Sequence, residues 1–232
     1  MEYDSGSYIQ RNAPLPLVIR SHTERVQALL KAGLLTEADL KDNWAEELDN
    51  LQLNGISWLY HFSPKCNLTS ILTRGLMSRA YALTCGIHIS QYGGNQISHD
   101  QSNSFGYADF IHLCFCPDHP MMLRVAQDTK QNLVLFAIDP IVIAFNGTQL
   151  TDQNAASNDH QPISSLGSMP SEVIAATKQR YVPRSSSIFR YHQAEVMVQQ
   201  YIPPFFIADY TEVKFFDSHE SSAIGDASTK AE

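Results

Sequence analysis

Glu195 stands in the run Gln193-Ala194-Glu195-Val196-Met197-Val198, where one acidic side chain interrupts an apolar alternation. A carboxylate at such a place is costly to bury unless something pairs with it or a reaction needs it. It can accept a proton and stabilise developing positive charge; the plainer alternative is an edge-strand glutamate facing water. Gln193 beside it can help to orient a substrate. A second group, Tyr60-His61-Phe62-Ser63 followed by Asn67-Leu68-Thr69-Ser70-Ile71-Leu72 and Arg74-Gly75-Leu76, reads as a strand ending in histidine and serine and a short helix stopped at glycine. That order sets an imidazole and a hydroxyl beside exposed backbone groups. His119 lies between two prolines in Cys116-Pro117-Asp118-His119-Pro120, a stiffened turn that makes it a fixed hydrogen-bond donor or base, or else a solvent-facing turn histidine. Lys178, Arg180, Arg184 and Arg190 fall close together with Tyr181, Phe189 and Tyr191 between them. Cations interleaved with aromatics suit a single-strand groove, and a solvated basic loop has the same composition.

Other chemistries find less support. His88, His99, His112 and His119 show no metal-ligand spacing such as HExxH and lack accompanying carboxylates or thiolates, so no metal is expected. Gly93-Gly94 is not followed by the Lys-Ser/Thr of a phosphate loop. No GxSxG elbow is present, although a Ser-His-Asp triad assembled from distant segments remains open.

These groups need elements to hold them. After a first stretch of 20 residues without periodicity, Ser21 or Thr23 can cap a helix that runs to about Lys31 and ends at Gly33. Thr36 with Asp39 opens a second helix to about Leu51, which makes an acidic helical hairpin. Asn54-Gly55 is a turn, Ser57 to Phe62 a short buried strand, and Asn67 to Arg74 a helix with Leu68, Ile71 and Leu72 on one face. Ala82 to Phe105, rich in Gly, Asn, Gln, Ser and His, is expected to be a long loop. Phe110 to Cys116, Asn132 to Ile138 and Ala194 to Gln200 read as strands, Ala144 to His160 as polar and turn-like, and Pro170 to Tyr181 as helical. Segregated strands and helices point to an α+β fold with a largely antiparallel sheet core and flanking helices. The expected division is an arm and hairpin over 1–55, a catalytic domain over 56–215 and a flexible acidic tail over 216–232.

At 232 residues, 44% apolar and 17% charged, the chain can bury one good-sized core. No stretch approaches the roughly 18 to 20 apolar residues of a membrane span, and the start, MEYDSGSYIQRNAP, lacks a basic leader or apolar signal core, so a cytoplasmic protein without a membrane partner is expected. The four cysteines, Cys66, Cys85, Cys114 and Cys116, are too scattered for a disulfide framework and are expected to be reduced core thiols. A net charge of −8 argues against nucleic acid at first, but the acidic residues crowd 36–49 and the tail after Asp217, away from the basic cluster.

The segment Tyr60 to Leu76 resembles the amino-terminal NAD-binding motif of ADP-ribosyltransferases of the DarT type, and three further segments match that family in the same order. Asp109 to Phe115 with Pro117 and Pro120-Met121-Met122 resembles its strand, proline-bracketed turn and methionine. Leu150-Thr151-Asp152-Gln153-Asn154-Ala155-Ala156 resembles its TDGNA loop, with Gln153 where glycine is usual, and Gln193 to Val198 resembles its QAEVLV strand, which carries the catalytic glutamate. The resemblance implies an ADP-ribosyltransferase-like fold and an enzyme that consumes NAD as a substrate and modifies a base in single-stranded DNA. It also implies a toxin whose partner is the macrodomain antitoxin DarG. It places catalysis on Glu195 and NAD contacts on His61, Phe62, Ser63, Asn67, Ser70, Gly75, Leu76 and Tyr81; beside it, the residues themselves offer His119 as a second catalytic group and Arg180, Arg184, Arg190, His192, Gln193 and Asn154 as substrate contacts. One departure matters: the thymidine-modifying branch of the family carries an arginine in the loop after the first helix, whereas nothing basic lies here between Arg79 and Arg124. His119, Arg190 and His192 are the candidates for that role, and the gap favours the guanine-modifying branch. Alternatives are a transferase acting on RNA or protein, and a non-catalytic member that binds NAD or nucleic acid.

Overall fold

A computed structural model describes residues 21–91 and 106–213. The expected arm over 1–20, much of the expected loop and the expected acidic tail lie outside the described residues.

The first helix, α1 (His22–Lys31), starts where the sequence has its strongest cap. The Ser21 side chain accepts from the Glu24 amide while the Glu24 carboxylate accepts from the Ser21 amide. The expected continuous second helix is broken in two. A single turn, Glu37–Asp39, is followed by extended Leu40, and α2 begins only at Trp44 and runs to Leu53. The cause is tertiary. Leu40 is buried by pairing with Phe145, and the Lys41 amide donates to the Ala144 carbonyl, so the backbone leaves the helix to reach the sheet layer. Val26, Leu35, Leu40, Leu48 and Leu51 join the same apolar core as the sheet. Buried Glu47 is paired with Lys41 and accepts from the Leu166 amide, and Arg25 pairs with Asp139.

The sheet consists of β1 (Leu59–Pro64), β3 (Phe110–Cys114), β4 (Leu133–Ile138), β5 (Gln149–Thr151), β6 (Pro162–Ile163), β7 (Glu195–Gln199) and β9 (Ile207–Val213), in the order β6-β5-β7-β3-β1-β4-β9. All its pairings are antiparallel, as expected. A two-stranded ribbon pairs β2 (Leu76–Met77) with β8 (Tyr201–Ile202). The apolar run of β4 has a physical reason: its side chains alternate between two cores. Val134, Phe136 and Ile138 face the main one, while Leu133 and Leu135 lie under Met122, Val125 and Ala126 of a helix, α5 (Pro120–Thr129), on the other side of the sheet.

Several expectations need correction. The proline-bracketed turn at 117–120 leads into α5, with His119 as its N-cap and Pro120 in the first turn, where a missing amide costs nothing. The segment expected to be turn-like contains β5, whose Leu150 and Thr151 are fully buried between β6 and β7. Ala82 to Thr84 belong to a helix, α4 (Arg79–Thr84), and the helix expected over 170–181 is confined to α6 (Ser171–Thr177). In α3 (Leu68–Arg74), Ile71 is buried but Leu72 is exposed. Cys114 and Cys116 are core thiols, whereas Cys66 and Cys85 are exposed; all four are free. Among the described residues no helix is long and apolar enough to cross a membrane.

Candidate active site

Glu195 opens β7 at the junction of three strands. Its register partner on β3 is Cys114, so Glu195 shares a sheet face with Cys114 and, two residues back, with His112. Diagonal neighbours of this kind are within reach of long side chains, and His112 Nδ1 donates to Glu195 Oε2 at 2.7 Å. On the other side, the Glu195 amide donates to Thr151 Oγ1 of β5 at 3.3 Å. Glu195 is 8% exposed and so does not face bulk water. On β1, His61 Nδ1 donates to the His112 carbonyl at 2.9 Å, which leaves Nε2 as the acceptor of a neutral ring. Burial is the main cause that pushes the His61 imidazole below its usual range.

His119 is buried, and its position is set by the cap of α5. Nδ1 accepts from the Met121 amide at 3.3 Å, so in the neutral ring the proton sits on Nε2. That Nε2 is buried with no partner among the described residues. Burial is the largest cause that pushes the imidazole down to about 4, against the opposing charge of Glu195 and with help from His192. At neutral pH, His119 is therefore an uncharged donor rather than a cation or a base.

These groups border one cleft of about 290 Å³. Its wall is built by Phe62 and Ser63 of β1, by Asn67 and Ser70, by Gly75 at the end of α3 and by Leu76 of β2. Asn67 donates to Ser63 Oγ at 3.1 Å and to the Gln91 carbonyl at 2.6 Å, which ties strand to loop. Gly75 has φ 84° and ψ −179°, a conformation open essentially to glycine alone, and it lies so close to the Ile202 carbonyl that a Cβ would stand 2.3 Å from that oxygen. Asn154 also lines the cleft, its Oδ1 accepting from the Ala156 amide.

The other expected site residues lie apart from this cleft. Tyr81 packs on Tyr201 with ring centres 6.0 Å apart. Arg180 is paired with Asp118 and exposed; Arg184 is exposed; Arg190 is stacked on the ring of its neighbour Tyr191, its guanidinium carbon 4.5 Å from the centroid. Gln193 donates to the Phe189 carbonyl. His192 is buried between the Ala176 carbonyl and the Cys116 thiol. Sequence reasoning gives no site role to several groups that do line the cleft, among them Arg74, although it stands in the motif from Tyr60 to Leu76, Arg79, Tyr107 and His112, which is weighed only as a metal ligand. The arginines lie immediately before the segment scanned for a basic residue, and the role of His112 depends on strand register, which has no local signal. Among the described residues no cluster of three or more potential metal ligands occurs.

An antiparallel sheet of this order, flanked by helices and carrying a glutamate on the lining of a cleft, matches the fold of DarT ADP-ribosyltransferases. Solved structures of that class share it: Thermus sp. 2.9 DarT in complex with ADP-ribosylated ssDNA matches over 73% of this chain and 86% of its own at 14% identity and a TM-score of 0.55. The same protein in complex with NAD+ matches over 67% and 81% at 15% identity and a TM-score of 0.50. Thermosipho africanus DarTG in complex with ADP-ribose matches over 66% of this chain at 22% identity and a TM-score of 0.54, and this chain spans 43% of the DarTG chain. No curated protein matches. Residues 60–213 match the family model described as ssDNA thymidine ADP-ribosyltransferase, DarT, and the chain belongs to that family.

Proposed function

We propose that this chain transfers ADP-ribose from NAD to a base of single-stranded DNA, with guanine as the acceptor. The observation that carries the reading is the placement of Glu195 in the same cleft as His61, Ser63, Asn67 and Ser70, the residues of the NAD-type motif. In the reaction, the bond between C1′ of the ribose and the nicotinamide nitrogen breaks and nicotinamide leaves. A base nitrogen bonds to C1′, and its proton passes to the Glu195 carboxylate. Withdrawn from bulk water at 8% exposure, the Glu195 carboxylate attracts the positive charge that develops on the sugar more strongly than it would in solvent. His119, neutral, bordering the cleft and with a buried Nε2–H that has no partner among the described residues, is read as a positioning donor. A single strand suits the site because no base pair must open before the base enters.

The choice of guanine rests on the loop that lacks an arginine, although Arg74 and Arg79 border the cleft and the family's description names thymidine. Arg180, Arg184 and Arg190, outside the cleft, form the track for the strand's phosphates. A cytoplasmic toxin restrained by a DarG-type macrodomain antitoxin completes the reading, supported by the likeness to DarTG. The test is incubation with labelled NAD and oligonucleotides holding a single guanine or a single thymine, beside RNA and protein. Label on the guanine strand, abolished by Glu195→Ala, is expected. Label confined to thymine would refute the base, label on RNA or protein alone would refute the acceptor class, and unimpaired transfer by Glu195→Ala would refute the site.

A further inference from the structure

We infer that His112 is a positioning residue for Glu195, holding one carboxylate oxygen so that the other is presented to the acceptor; this rests on the transfer reaction proposed above. Three observations converge on it. The imidazole Nδ1 lies 2.7 Å from Glu195 Oε2, a length typical of charge-assisted bonds. Glu195 Oε1 makes no hydrogen bond to any described residue and belongs to a side chain that lines the cleft, so it is the oxygen left for a proton. Finally, His112 is itself clamped. Its carbonyl accepts from His61, and its ring stands edge-on to Tyr107 at 6.5 Å, whose hydroxyl is bonded to His160 Nε2 at 2.7 Å. A glutamate has three side-chain torsions, and without the imidazole nothing else among the described residues holds its carboxylate. His112 thus removes rotational freedom at the atom that must meet the base in line with C1′.

The site orders its imidazoles by function. His61 and His119 are rendered neutral by burial, whereas the ring of His112 is partly open to the cleft, its side chain 32% exposed. Its Nδ1 faces a carboxylate and so must carry the proton whether the ring is neutral or charged. A donor fixed in this way can be replaced by a carboxamide. Asn places its side-chain nitrogen near the position of Nδ1, whereas Leu fills the space without a donor.

The experiment compares His112→Leu and His112→Asn with the wild-type protein, after equal Tm values confirm folding, in single-turnover transfer to the oligonucleotide and in NAD binding. His112→Leu is expected to lower the transfer rate by about 10-fold to 100-fold, the scale for losing a hydrogen bond to a charged group, with NAD affinity changed less than about threefold. His112→Asn is expected to recover most of that rate. Equal rates for Leu and wild type, equal loss in Leu and Asn, or a parallel loss of NAD affinity would each overturn the assignment. The bond can also be read without any substrate, by isotope-edited NMR of the imidazole: a proton signal on Nδ1 that moves in Glu195→Gln is expected, and no such signal overturns the pairing whatever the activity. A wild-type protein that shows the signal but transfers nothing would overturn the proposed function and leave the pairing intact.

Discussion

His119 makes the protein's stability depend on acid in a way that can be isolated. Its imidazole is pushed from the ordinary 6.5 down to about 4, mainly by burial, so between those values the unfolded chain binds a proton that the folded chain refuses. The stability gained by keeping the ring neutral is fully present above pH 6.5 and is lost as pH falls toward 4. With about 1.4 kcal/mol for each tenfold difference in proton affinity, the full loss is about 3 kcal/mol, and about 2 kcal/mol has gone by pH 5. Wild-type protein loses more than that, because the His61 and His22 imidazoles are lowered in the same direction. The variant His119→Asn separates the share of this one ring. Asparagine is a good N-cap, its side-chain oxygen can accept the Met121 amide as Nδ1 does, and it does not titrate. Urea unfolding of both proteins at pH 7.5 and pH 5 should show the variant losing about 2 kcal/mol less than wild type across that interval. An equal loss in the two proteins would refute the neutral, N-capping imidazole, and with it the role of His119 as an uncharged donor.

Two further outcomes are expected. Gly75→Ala forces a Cβ against the Ile202 carbonyl and a Tyr201 ring carbon in a backbone conformation that alanine resists. A stability loss of roughly 3 kcal/mol, seen as a Tm lower by roughly 6 to 12 °C, is expected, and a Tm within a degree of wild type would show that the ribbon of β2 and β8 can give way. The double substitution Arg180→Ala with Arg184→Ala should weaken single-strand binding and reduce the slope of log affinity against log salt by about 1.4, roughly 0.7 for each lost phosphate contact, with NAD affinity unchanged. An unaltered slope would make this cluster a solvated loop, which fits the existing pairing of Arg180 with Asp118.

Where a signal is local, the sequence carried it. The start of α1 is legible because Ser21 and Glu24 sit three residues apart, and β4 is legible because an unbroken apolar run needs cover on both faces. Local signals failed where distant contacts won. Leu40 leaves its helix to pair with Phe145, and polar-looking Gln149 to Thr151 become a buried strand because β6 and β7 close on both sides. The strand β9 escaped notice because, at an edge, its Asp209 and Glu212 face outward and blunt the apolar pattern. At the site, His61, Ser63 and Glu195 could be singled out by residue type, and the structure brings them to one cleft. Proximity along the chain misled at Arg190 and His192: both precede Glu195 closely, yet one stacks on its own neighbour and the other is buried behind the cleft. The partnership of His112 and Glu195 was invisible because it follows from the register of β3 against β7.

The bonds that join His61 to His112 and His112 to Glu195 connect residues 51 and 83 positions apart. No portion of the polypeptide that stops short of running from His61 to Glu195 contains both imidazoles and the carboxylate. On the proposed reaction, a chain still being synthesised lacks its carboxylate in the cleft until β7 has left the ribosome and inserted between β3 and β5. Such long-range pairing is slow compared with helix formation. If the proposed reaction holds, a protein truncated or nicked between Cys114 and Glu195 is left with these two imidazoles on one side of the break and its carboxylate on the other.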